Sequence, residues 1–143
     1  MTELIVETEP AAPEPARFGG ATDVLVYFLS FAFATRYGSQ HDLSKLALLL
    51  RSQRKIKLEP LLTFADRNVE DAADARELER VWQEAAPLAE TLDAVVEALE
   101  AGDERIDELT RETPDLLPRL RDLAAIAHEA SERGARIRLT FTL

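Results

Sequence analysis

The chain has 143 residues, 46% of them hydrophobic and 31% charged, a balance that suits one folded domain and not general disorder. Its 27 acidic and 17 basic residues give a formal charge of -10, which disfavours a sequence-independent grip on nucleic acid, because a polyanion is held by neutralising its phosphates. The absence of cysteine excludes disulfides, thiol catalysis, thiolate metal sites and iron–sulfur clusters, and is compatible with a reducing cytoplasm.

Residues 1–17 hold four glutamates against one arginine, unlike a secretory signal or a transit peptide, so a cytoplasmic location is expected. Within them Leu4-Ile5-Val6 is a short β-prone triplet. Glu9-Pro10-Ala11-Ala12-Pro13-Glu14-Pro15-Ala16 favours extended conformations through its prolines, and Gly19-Gly20 marks a flexible junction. The chain therefore divides into an N-terminal arm (1–20), a helical domain (21–134) and a C-terminal strand (135–143).

Residues 23–37 carry five of the nine aromatic side chains and no charge between Asp23 and Arg36. As a helix the uncharged run 24–35 reaches about 18 Å, short of a roughly 30 Å hydrocarbon core, so no membrane span is expected. Val, Tyr and Phe favour strands, but the length and the ends favour a helix. Thr22 or Asp23 can accept from the first free amides, Arg36 suits the negative end of the macrodipole, and Gly38 can take a left-handed closing conformation. Apolar residues on every face place this helix at the centre of a core or in an interface, with Tyr27, Phe28, Phe31 and Phe33 as candidate contacts.

Ser39-Gln40-His41-Asp42 reads as a capping box opening a second helix through Leu43, Leu46, Ala47, Leu49 and Leu50, which is expected to end near Lys55. Arg51, Arg54, Lys55 and Lys57 follow, so that residues 51–60 total +3 and the rest of the chain -13. These four cations are the candidate contact for a phosphate, an RNA backbone or an acidic partner, against the plainer reading of a cation-stabilised helix terminus. No aromatic residue is interleaved with them, which weakens a single-stranded nucleic-acid version. Pro60-Leu61-Leu62-Thr63-Phe64-Ala65-Asp66 reads as a short helix with proline at its favoured first position.

Leu78, Val81, Ala85, Leu88, Leu92, Val95 and Leu99 alternate spacings of three and four, the period of helix-on-helix packing, with Pro87 kinking the helix or splitting it at Ala86. Trp82, beside this stripe, reads as core or interface. Asp103 caps a short helix through Leu109, and Leu116, Leu120, Leu123, Ala127 and Ala130 repeat the helical period up to Gly134. The two periodic helices are expected to pair as an antiparallel hairpin. Residues 136–143 alternate polar and apolar without exception, a strand with Ile137, Leu139 and Phe141 on its buried face. Such a strand needs a partner, either Glu3–Thr8 of the same chain or a second chain.

His41-Asp42 resembles the dipeptide of HD phosphohydrolases, but such a metal site takes further histidines and only His128 remains, so Asp42 reads as a helix-cap carboxylate. No phosphate loop, nucleophile elbow or di-iron motif can be assembled, so no catalytic, cofactor or metal residues are assigned. The expectation is a mainly α protein: a helical bundle with a long antiparallel hairpin and a C-terminal strand. It acts as a non-enzymatic interaction module, an adaptor, assembly subunit or regulator, through a protein partner or self-association. The alternatives are a small subunit of a nucleoprotein complex touching phosphates through residues 51–57, and an apolar-ligand domain with a cavity lined by Tyr27, Phe28, Phe31 and Trp82.

Overall fold

A computed structural model describes residues 1–34 and 40–143. The chain runs β1 (Glu3–Glu9), α1 (Asp23–Phe33), α2 (Asp42–Ser52), β2 (Phe64–Asp66), α3 (Ala72–Arg80), β3 (Trp82–Glu84), α4 (Ala85–Glu100), α5 (Glu104–Leu109), α6 (Leu116–Glu132) and β4 (Arg136–Thr142). The expectation of a mainly α protein with one strand is corrected: the fold is mixed, with a four-stranded sheet beside the helices.

The alternating C-terminal segment is the centre of that sheet. β4 pairs antiparallel with β1 along its whole length, from Glu3 opposite Thr142 to Glu9 opposite Arg136. Its other edge is shared end to end: β2 runs parallel beside Leu139–Phe141, and β3 antiparallel beside Arg136–Arg138. β4 finds its partners within the chain, so its backbone groups are not left for a second molecule. The period of two sends Ile137 and Leu139, with Leu4 of β1, into the helix-covered core. The opposite, outer face carries Glu7, Glu9, Arg136, Arg138, Thr140 and Trp82 by register.

The apolar segment 23–37 is a helix where described, and it is central. Val24, Leu25, Val26, Phe28, Leu29 and Ala32 of α1 are buried, packed on α2, α6 and β1. Burying each large side chain contributes about 1.5–3 kcal/mol, which outweighs the strand preference of its valines and aromatics. Thr22 does not cap α1 with its side chain; its hydroxyl accepts from Leu4 N–H at 2.9 Å and ties the helix to β1. The expected closing residues Arg36 and Gly38, and the cap Ser39, lie outside the described residues. The second helix is capped by His41, whose Nδ1 accepts from Leu43 N–H at 3.1 Å. It ends at Ser52, not near Lys55.

Two further corrections concern the middle of the chain. Residues 60–66 form turns leading into β2, not a helix, and the loop is fastened by side chains instead of a helical ladder. Thr91 Oγ1 donates to the Lys57 carbonyl and Gln83 Nε2 to that of Pro60, both at 2.9 Å. The stripe from Leu78 to Leu99 is not one helix either, since β3 separates α3 from α4. Pro87 stands in the first turn of α4, where its missing N–H would have no helical partner anyway.

α4 and α6 form the expected antiparallel pair. His128 meets Asp93 at 2.8 Å and Arg121 meets Glu100 at 3.4 Å, so residue numbers rise along one helix as they fall along the other. Gly134, at φ 68, closes α6 with Ala135 N–H on the Ala130 carbonyl. No helix among the described residues is long and apolar enough to cross a membrane.

Candidate partner-binding groove

β1 is an edge strand, and one hydrogen bond fixes which of its residues look outward. Leu4 N–H points away from β4, toward Thr22 Oγ1. In an antiparallel ladder alternate residues send their N–H and C=O to opposite sides, so Glu3, Ile5, Glu7 and Glu9 bond β4. Leu4, Val6 and Thr8 direct their backbone to the open edge.

Beside that edge lies the arm, residues 10–21. Three of its residues, Pro10, Pro13 and Pro15, have no N–H, and no backbone–backbone hydrogen bond joins the arm to β1. It is pinned at its ends. Ala12 N–H donates to Thr8 Oγ1 at 3.1 Å, Arg133 donates to the Pro10 carbonyl and to Thr8 Oγ1 at 3.2 Å each, and Gly19 N–H donates to Asp122 Oδ2 at 2.9 Å. The Arg119 guanidinium stands 3.0 Å from the same Asp122 carboxylate. Phe18 packs onto the core between these ties.

Between arm and strand an open groove of about 930 Å³ remains. One wall is Val6, Glu7 and Thr8, and the other is the alanine–proline arm from Ala11 to Arg17. α6 supplies the floor through Asp122, Ala125, Ile126 and Glu129, residues three and four apart on one stripe of that helix. The floor is apolar at Ala125 and Ile126, and the rim carries Glu14 and Arg17 beside Glu7, Asp122 and Glu129, carboxylates paired with this chain's Arg67 and Arg138, Arg119 and Arg133 in turn.

Glu7 joins this groove to the outer sheet face. Burial opposes its ionisation, but Arg67 at 2.7 Å and Arg138 at 3.0 Å outweigh that and hold its carboxyl below the ordinary carboxylate value. Arg67 also donates to Thr140 Oγ1 at 3.1 Å. Arg138 donates to the Leu78 carbonyl at 3.2 Å and lies 4.5 Å from the centre of the Trp82 ring, with Arg136 at 5.5 Å from the same ring and ion-paired to Glu9. The outer face is thus a ladder of carboxylates and guanidinium groups stacked on an indole.

The structure distributes the residues singled out in the sequence. Phe28, Ile137 and Leu139 are fully buried by this chain's own elements, so they are core, not a surface for a partner. Phe31 stacks on His41 at 3.8 Å between ring centres, and Phe33, half exposed, meets Phe64 edge-on, which in turn meets Phe141. Tyr27 is exposed. Trp82 is on the outer sheet face, away from Phe28, so the cavity expected between Tyr27, Phe28, Phe31 and Trp82 is not formed.

In the basic cluster Arg54 is bound to Asp103 at 3.2 Å. Arg54, Lys55 and Lys57 border a shallow hollow whose rim also carries Glu59 and Glu90. Arg51 is half buried. Asp103, which also accepts from the side chain and N–H of Arg105, is held down to about 2 by those bonds and by Arg54. Among the described residues no three His, Asp or Glu side chains converge as a metal site.

The groove escaped the sequence reading, although half of its signal was present. The stripe Asp122–Ala125–Ile126–Glu129 lies one residue off the buried stripe of α6, and an apolar pair flanked by carboxylates is legible there. That the arm returns along β1 is a long-range fact with no local pattern. No family model, no curated protein and no solved structure matches the chain.

Proposed function

We propose that the protein is a non-enzymatic protein–protein interaction module, an adaptor or assembly subunit, that receives its partner in the groove between β1, the arm and α6. The single observation behind this reading is that a strand edge with outward backbone groups borders a groove with an apolar floor, in a size range that small recognition sites occupy. Of the two places open to the apolar helix and the C-terminal strand, the chain's own core or an interface, the core takes most of both. The partner surface is therefore read from what remains open.

The test uses the intact chain as bait alongside an Ile126→Asp variant, which places a charge on the groove floor at a half-buried position. A protein retained by the wild type and lost, by about tenfold or more, with the variant supports the reading. Retention of no protein, or equal retention by a variant whose circular dichroism is unchanged, overturns it.

A further inference from the structure

We propose that the groove takes an extended segment of alternating basic and apolar residues, which adds to β1 as a further strand; this rests on reading the groove as the partner site. Beyond Leu4, which is buried and tied to Thr22, the edge of β1 that lines the groove directs the Val6 N–H and carbonyl and the Thr8 N–H outward, and an edge in this condition is a template for strand addition. The arm beside it cannot close the ladder, because its prolines lack the donors a strand needs.

The chemistry of the occupant follows from what β1 accepts on its other side. There Arg136-Ile137-Arg138-Leu139 of β4 sets guanidinium groups against Glu9 and Glu7 while Ile137 and Leu139 enter the core. A strand arriving at the open edge meets Glu7 on one face and the Ala125–Ile126 floor on the other. Arg67 and Arg138 both bond Glu7 through Oε1, and a carboxylate has lone pairs on both oxygens, so Oε2 can accept from a cation on the arriving strand. Glu14 adds a further carboxylate at the rim. Alternating basic and apolar side chains satisfy both faces at once.

A second copy of this chain fits poorly. Pairing two β1 edges antiparallel about Val6 sets Glu3 opposite Glu9, and shifting the register by two sets Glu7 opposite Glu7 or Glu3 opposite Glu7. Like charges directly opposite are destabilising, so the edge is guarded against itself and open to a basic strand.

The experiment adds three fluorescein-labelled octapeptides to the full chain: Arg-Val repeated four times, Glu-Val repeated four times, and the Arg-Val peptide N-methylated at every residue. Anisotropy reads binding and amide hydrogen exchange reads Val6 and Thr8. The Arg-Val peptide is expected to bind at least about tenfold more tightly than the other two and to slow exchange at Val6 and Thr8. A Val6→Pro variant, which removes an outward N–H and leaves the bonds to β4, is expected to weaken that binding. Equal binding by the Glu-Val or N-methylated peptide, or binding without slowed exchange at Val6 and Thr8, overturns strand addition and leaves the interaction reading standing. Binding by none of the three overturns the inference too, while the interaction reading is judged separately by the Ile126→Asp comparison.

Discussion

Arg138 and Glu7 face each other across the β1–β4 ladder at 3.0 Å, and the same guanidinium lies over the Trp82 ring. Arg138 is 13% exposed, so its charge is largely withdrawn from water and held by Glu7, the Leu78 carbonyl and the indole. Arg136, two residues away on the same face, is 47% exposed. Removing a partly buried cation leaves Glu7 with Arg67 alone, frees the Leu78 carbonyl and loses cation–π contact, whereas an exposed ion pair contributes little. Arg138→Ala is therefore expected to lower stability by about 2 kcal/mol and Arg136→Ala by under about 1 kcal/mol. Urea denaturation followed by Trp82 fluorescence checks both, and equal losses would contradict the asymmetry.

Acid should weaken the fold through two carboxylates. Glu7 titrates below its ordinary 4.5, because Arg67 and Arg138 outweigh the opposing burial, and Asp103 titrates at about 2 instead of 3.8, chiefly through Arg105. A carboxylate whose folded pKa is depressed stabilises the fold above its unfolded pKa and loses that contribution as pH falls through the folded pKa. For Asp103 the loss runs from pH 3.8 down to about 2, and for Glu7 it begins near 4.5. Urea midpoints measured from pH 6 downward are expected to fall through this window. Glu7→Gln should flatten its upper part and Asp103→Asn its lower part.

How much of this was legible depended on segment length. The helix over Asp23–Phe33, the pairing of α4 with α6 and the strand over Arg136–Thr142 follow from patterns seven or more residues long, whereas the left-handed stop at Gly134 follows from one glycine and the β1–β4 pairing is one of two partners that the sequence leaves open to the last strand. β2 and β3 have three residues each, too few for a period of two to show. Val81 and Ala85 kept their helical spacing across β3, so the interruption was invisible. The groove depends on where the alanine–proline arm returns, and Gly19 meeting Asp122 across the chain has no local signature.

Neighbouring phenylalanines on α1 separate burial from exposure. Phe28 is fully buried in the core, and Phe33 is 49% exposed with an edge contact to Phe64. Phe28→Ala leaves a cavity that close-packed neighbours fill only in part, so a loss of about 3–5 kcal/mol is expected. Phe33→Ala removes half-solvated surface and one aromatic pair, about 1 kcal/mol. Chemical denaturation of the two variants tests this, and a larger loss at Phe33 than at Phe28 would mean that α1 is packed the other way round.

Two helix ends use the left-handed region with different residues, and a substitution that costs stability at one should not do so at the other. Gly134 follows α6 at φ 68, and nothing lies within 4 Å of the place a Cβ would take, so Gly134→Ala carries conformational strain without a clash. A loss of about 1 kcal/mol is expected. Lys55 follows α2 at φ 57, where Ile56 N–H reaches back to the Leu50 carbonyl at 3.1 Å. Glycine there relieves the crowding of Cβ but gains freedom in the unfolded chain, two effects of about 1–2 and 0.4–1 kcal/mol. Their difference makes Lys55→Gly neutral to stabilising by about 1 kcal/mol. The urea midpoint should fall for Gly134→Ala and hold or rise for Lys55→Gly. A marked loss in Lys55→Gly would show instead that the Lys55 side chain, which borders a hollow with Glu59 and Glu90, holds the 53–57 turn.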